Sequence, residues 1–183
     1  RALCLASPDF ALAPGLPEFL DALREREIPR NIATASALPN VRFFFEHLPL
    51  GRWFDPDLVV YNDGSLPGKP APDLYLAAAA RIGADIRACT VFEDATPGIE
   101  AARRAGARRI VGVASMQTPQ ALLGCGATHA VAGYSSAGDL LRLVLSLPPP
   151  TLRLAAKRFC FPPPLPLFVG AGSAGAAYPE IRR

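Results

Sequence analysis

Ser36, Lys69 and the adjacent pair Glu93 and Asp94 are the residues of this 183-residue chain whose types suit joint action on a phosphoryl group. A hydroxyl, an ammonium and two carboxylates cover what that chemistry asks of a protein. It needs positioning and charge neutralisation, commonly with a divalent cation. Each group follows a short apolar stretch. Asn31 to Ala35 leads into Ser36 and Ala37, where a hydroxyl is joined by loop N–H groups. Leu58 to Tyr61 precedes the loop Gly68-Lys69-Pro70-Ala71-Pro72-Asp73, and Thr90 to Phe92 ends in Glu93 and Asp94.

Lys69 is the sharpest of these. The chain has two lysines against seventeen arginines, so a lysine set between Gly68 and two prolines is not its default cation. Pro70 biases Lys69 to an extended backbone and Pro72 opens the next helix, which presets the ammonium. A compact point charge suits a phosphate contact. Hard carboxylate oxygens directly after a strand suit Mg2+, which takes one or two carboxylates and keeps several waters. The alternatives are a solvated loop lysine and an Asp94 that only helps to cap the helix entered at Thr96.

Alternating strand and helix signals must position these groups. Helical spacing predicts helices over 16–26, 41–48, 72–82, 97–105 (with Thr96 as its N-cap), 119–123 and 138–147. Short apolar runs predict strands over 31–35, 58–61, 90–93, 110–113 and 128–131. Elements alternating every 10–15 residues imply right-handed crossovers and an α/β fold, a doubly wound (Rossmann-like) parallel sheet. In such a sheet every strand delivers its carboxyl end to one edge, where ligands bind.

Composition narrows the field. Residues 1–146 carry 14 basic and 15 acidic side chains, while 147–183 carry five and one, so the formal charge of +3 comes from the tail. A near-neutral body offers no footprint for nucleic acid. No apolar run reaches the length of a membrane span, so no membrane partner is expected. Cys4, Cys89, Cys125 and Cys160 are too dispersed for a zinc ribbon or dithiol, and a reducing, cytoplasmic setting is the expectation. Lone His47 and His129 lack metal-ligand spacing. Eight of twenty prolines and a Gly/Ala stretch lie in 147–183, so the folded unit is expected over 14–147 with 148–183 disordered. That tail also offers 161–166 as a polyproline peptide ligand, and a formal G-x-G-x-x-G at 170–175 after a possible strand at 165–169, which lacks the second strand and acid of a dinucleotide site.

Together the motifs resemble the haloacid dehalogenase (HAD) superfamily, most closely its β-phosphoglucomutase-like and phosphatase branch, over about 14–147. Ile32-Ala33-Thr34-Ala35-Ser36-Ala37 is similar to the family's second motif, Gly68 to Asp73 to its third, and Val91 to Ala102 to its fourth. The resemblance implies a Mg2+-dependent phosphatase or phosphomutase acting on a small phosphorylated metabolite such as a sugar phosphate. Ser36 and Ala37 would bind phosphate, Lys69 would contact phosphate and nucleophile, and Asp94 would ligate the metal with Glu93 beside it.

The family's first motif is an apolar strand ending in D-x-D, whose first Asp is the nucleophile and whose second is the acid/base. Nothing before Pro14 fits it. Asp55-Pro56-Asp57 has the letters but precedes its strand and follows the second motif, so a loop is expected there. The chain, which starts at Arg1, is expected to be an N-terminally truncated core. Residues 1–13 would then be a remnant of the family's cap, and the missing strand would leave a gap at the centre of the sheet. The expected consequence is no turnover by aspartyl-phosphate chemistry. The alternative is a non-catalytic remnant that binds phosphate or a protein partner. The order Ser36, Lys69, Glu93-Asp94 argues against a phosphoacceptor receiver domain, and Pro70 after Lys69 argues against a P-loop.

Overall fold

Gly15 opens the helix α1 (Leu16–Glu25) in a conformation only glycine adopts readily, at φ 80°. A Cβ there would meet the Tyr134 carbonyl oxygen at 2.4 Å, so the close approach also demands glycine. Pro17 lies in the first turn, and Phe19, Leu20 and Leu23 form the buried stripe. The computed structural model describes residues 5, 7 and 10–146 and the backbone of Leu167–Ala171. The rest of the tail, with the polyproline segment and most of the glycine pattern, lies outside the described residues, as do Cys4 and Cys160.

The elements follow in alternation: β1 (Arg30–Thr34), α2 (Leu38–His47), α3 (Asp73–Arg81), β2 (Thr90–Glu93), α4 (Thr96–Ala105), β3 (Arg109–Val113), α5 (Pro119–Gly124), β4 (His129–Val131), α6 (Ala137–Leu145) and β5 (Leu167–Ala171). All pairings are parallel, in the order β1-β5-β2-β3-β4. The doubly wound sheet is therefore as expected. Its faces are covered separately. Val91 and Ile110 point towards α3 and α4, among Leu74, Tyr75, Ala78, Ile99 and Ala102. Phe92 and Val111 point the other way, to α1 and α6, among Phe19, Leu20, Leu23, Leu140 and Val144. Phe92 is fully buried, its ring 5.3 Å from that of Phe19 and 6.1 Å from that of Tyr134. Complete burial of a side chain of this size contributes roughly 1.5–3 kcal/mol.

Three expectations need correction. The strand over 58–61 is a single parallel bridge, Ala33 to Val60, because Pro56–Leu58 forms a 3-10 turn that takes Leu58 out of extension. Asp55 caps that turn by accepting the Asp57 N–H, so the D-x-D letters do occupy a loop. Thr96 is not a cap. Ala95 holds the cap position of α4, and the Thr96 hydroxyl donates to Gln117 Oε1 at 3.3 Å.

The third concerns the tail. Residues 167–171, expected to be disordered and outside the folded unit, form the central strand of the sheet. All five pair with β1 and three pair with β2, from Arg30 opposite Leu167 to Thr34 opposite Ala171. A parallel sheet lacking its central member would leave two rows of backbone N–H and C=O groups unpaired inside the molecule. The apolar sequence Leu-Phe-Val satisfies both rows. The gap anticipated from the family pattern is thus filled by the chain's own later residues.

Candidate active site

β2 ends at Glu93, and the loop before α3 brings Lys69 onto it. Ala71 N–H donates to the Gly68 carbonyl at 2.9 Å, closing a turn in which the Lys69–Pro70 bond is cis. The Lys69 ammonium donates to Glu93 Oε1 and lies 4.9 Å from the centre of the Tyr75 ring. The two side chains are 7% and 0% exposed, which rules out a solvated loop lysine. Tyr75, on the buried face of α3, donates its hydroxyl to the same Oε1 at 2.7 Å. Burial and then the Glu93 charge push the Tyr75 hydroxyl well above its ordinary value, so it remains a donor.

Glu93 Oε2 accepts the N–H groups of Asp94 and Ala95, at 3.1 and 3.3 Å, at the entry to α4. The positive end of that helix favours a carboxylate there. Gly98 makes the room, since a Cβ on it would sit 2.1 Å from the Glu93 carboxyl carbon.

Asp94 is different. Its Oδ2 accepts the Ser115 hydroxyl at 3.2 Å, while Oδ1 is buried with no partner. Burial and the neighbouring Glu93 charge raise its carboxyl, opposed by Ser115, its own backbone and Lys69. An orphaned carboxylate oxygen beside a hydroxyl is a fit for Mg2+. Among the described residues no three acidic, His or Cys groups converge into a metal cage. Mg2+ does not require one, because waters and substrate oxygens complete its shell. Glu93 fits less well than the sequence led us to expect, as Lys69, Tyr75 and two backbone amides already engage both its oxygens.

Ser36 and Ala37 stand apart from this cluster but on the same carboxyl edge of the sheet. The Ser36 N–H donates to Thr34 Oγ1 at 3.1 Å, and its carbonyl accepts the Asn62 N–H at 3.0 Å. Ser36 is half-buried, and Ala37 is exposed at the cap position of α2. β5 runs between β1 and β2, so the two halves of the site lie about 10 Å apart, two strand spacings. A surface hollow of about 590 Å³ near Arg42, Asp57 and Arg81 includes none of these residues.

Sequence reasoning missed Tyr75, Ser115 and the reason for Gly98. Ser115 had a usable signal, since it follows β3 at the same edge. Tyr75 had a weaker one, a lone hydroxyl-bearing ring on a helix face otherwise made of Leu74, Ala78 and Ala79.

The carboxyl edge of this parallel α/β sheet thus carries a lysine–carboxylate pair and a half-free aspartate. The family model for haloacid dehalogenase-like hydrolases matches residues 2–106, and the chain belongs to that family. The phosphorylated carbohydrates phosphatase of Thermotoga maritima is 34% identical over 119 residues, covering 64% of this chain and 54% of that protein. Among solved structures, a family IA variant 3 HAD hydrolase from Entamoeba histolytica matches with TM-score 0.67 and 38% identity, covering 72% of this chain and 61% of that one. A candidate β-phosphoglucomutase of Thermotoga maritima matches with TM-score 0.64 and 34% identity, covering 72% and 60%. The chain spans about half the length of the curated relatives it matches. No helix among the described residues is long and apolar enough to cross a membrane.

Proposed function

We propose that the chain carries the phosphate- and Mg2+-binding half of a phosphatase or phosphomutase active on small phosphorylated carbohydrates. Its core would be residues 14–147 completed by 167–171. The observation that carries this reading is the buried Lys69–Glu93 pair beside the unpartnered Oδ1 of Asp94. The Ser36 hydroxyl and the loop N–H groups around Ala37 hold phosphate oxygens. Lys69 neutralises their charge while Glu93 and Tyr75 fix its ammonium in place. Asp94, held by Ser115, would bind Mg2+, which when present adds positive charge at the transferring phosphoryl group. The relatives' names support a carbohydrate phosphate as the class of substrate.

The same reading makes the 183-residue chain a binder without turnover. The central strand ends in Gly170 and Ala171, so no carboxylate is offered between Ser36 and Asp94 to attack phosphorus. This observation favours the second reading, a non-catalytic remnant that binds phosphate. Isothermal titration with inorganic phosphate in Mg2+ should show binding that Lys69→Ala or Asp94→Asn weakens at least tenfold, and a flat titration would sink the site assignment. Release of phosphate from p-nitrophenyl phosphate, dependent on Mg2+ and lost in Lys69→Ala, would instead show a working nucleophile and overturn the inactivity.

A further inference from the structure

We propose that the amino edge of the sheet, opposite the edge that carries Lys69, holds a second site built on Arg30, Thr90, Arg108 and Arg109. Its ligand is a small tetrahedral dianion, either free phosphate or the phosphate group of a metabolite. The strand register lines the site up. Arg30 lies opposite Leu167, Leu167 opposite Thr90, and Thr90 opposite Arg109. Strand alternation puts Thr90 and Arg109 on the face of Phe92 and Val111, which α6 covers. Thr90 and Arg109 stand one strand spacing apart, about 5 Å, and Arg30 stands about 10 Å from Thr90 on its other side.

Each of the four residues carries a buried polar atom with no partner: Arg30 Nε, Thr90 Oγ1, Arg108 Nε and Arg109 Nη1. Thr90 is 0% exposed and Arg109 6%, while Arg30 and Arg108 are half-buried and give the site a solvent-facing side. Buried donors are normally paired, so four of them along one edge mark a place for an acceptor. Among the described residues no carboxylate pairs with Arg30, Arg108 or Arg109. Their other bonds go to carbonyls: Arg30 donates to Ile28 at 3.0 Å, and Arg108 and Arg109 both donate to Ser146, the latter at 3.3 Å. Burial and then Arg108 hold the Arg109 guanidinium below its ordinary value, and burial and then Arg24 do the same to Arg30. Positive charge is thus concentrated here without an offsetting acid. Guanidinium forks match the paired oxygens of a phosphate, and the Thr90 hydroxyl adds a neutral donor.

The test follows the Nε–H signals of Arg30, Arg108 and Arg109 by NMR in the isotope-labelled full chain. Sulfate or inorganic phosphate replaces chloride at constant ionic strength, without Mg2+. Both ions should move the three signals along one saturating curve, and Arg30→Gln and Arg108→Gln should each weaken that binding at least tenfold. Both substituted side chains are half-buried. If either Gln variant does not fold, Arg108→Lys decides by the same tenfold criterion, since it keeps the charge and loses the fork. Absent or linear shifts in the parent would overturn the proposal, as would an unchanged curve in the variants. Glycerol phosphate separates the two sources: a matching response admits a phosphate monoester, and no response restricts the site to the free ion. The signals belong to residues at the edge away from Lys69, so this site and the phosphoryl-transfer reading stand or fall separately.

Discussion

Glu93 is enclosed on all sides, so removal of its cation should be felt as lost stability before any lost chemistry. Breaking a buried pair by deleting one partner typically costs about 3–5 kcal/mol, because the remaining charge is left uncompensated. Lys69→Ala should therefore lower the unfolding free energy obtained from urea titration by an amount in that range, and adding Glu93→Gln should recover much of it. A double variant no more stable than Lys69→Ala would mean that the charge of Glu93 is not the burden. Asp94 makes an opposite prediction. Its carboxyl lies above the ordinary 3.8, first through burial and then through Glu93, so the folded chain holds that proton more tightly than the unfolded chain. The contribution is fully present below 3.8 and is lost as pH rises through the raised value. Asp94→Asn should thus melt higher than the parent at neutral pH without metal, and its melting temperature should depend less on pH. Thermal melts between about pH 4 and pH 7 would check this. Saturating Mg2+ should raise the parent's melting temperature and leave Asp94→Asn unmoved. At this scale the sequence was informative where residue type is rare, as with Lys69, or strand-terminal, as with Glu93 and Asp94. It was silent on which carboxylate oxygens stay free, because Tyr75 and Ser115 reach them from other elements.

Elements position these groups by close approach as much as by register. α4 can start over Glu93 only because Gly98 lacks a Cβ. Gly98→Ala should cost about 1–3 kcal/mol through overpacking, and it should displace the Glu93 carboxylate from Lys69. Gly138, in the first turn of α6, has nothing within 4 Å of its would-be Cβ. Gly138→Ala should therefore stabilise the chain by about 0.4–1 kcal/mol by restricting the unfolded state. Denaturant titrations of the two variants should shift in opposite directions, and equal losses would disprove the role given to Gly98. The helices were legible because a period of 3.6 residues and prolines near their starts are local signals. Leu58 was misjudged as part of a strand because a turn begun at Pro56 outcompeted extension there, and an apolar run such as 58–61 reads alike in both cases. Thr96 was misjudged because Ala95 adopts the extended cap backbone and leaves the hydroxyl to Gln117.

The whole molecule rests on a sheet whose two faces draw on different stretches of sequence. One face is covered by α3 and α4, the other by α1 and α6. That layering was legible from alternation alone. The identity of the central strand was not, because the residues between α6 and β5 read as proline-rich and strand pairing depends on contacts across most of the chain. Its position also sets an order of events. Arg30 pairs with Leu167, so β1 and β2 emerge from a ribosome long before the strand that joins them. During that interval the nascent chain carries two open strand edges. Such distant pairing slows folding, and exposed edges in the meantime invite association between chains. Slower growth or added chaperone should therefore raise the soluble fraction of the expressed chain, as read by the ratio of soluble to pelleted protein.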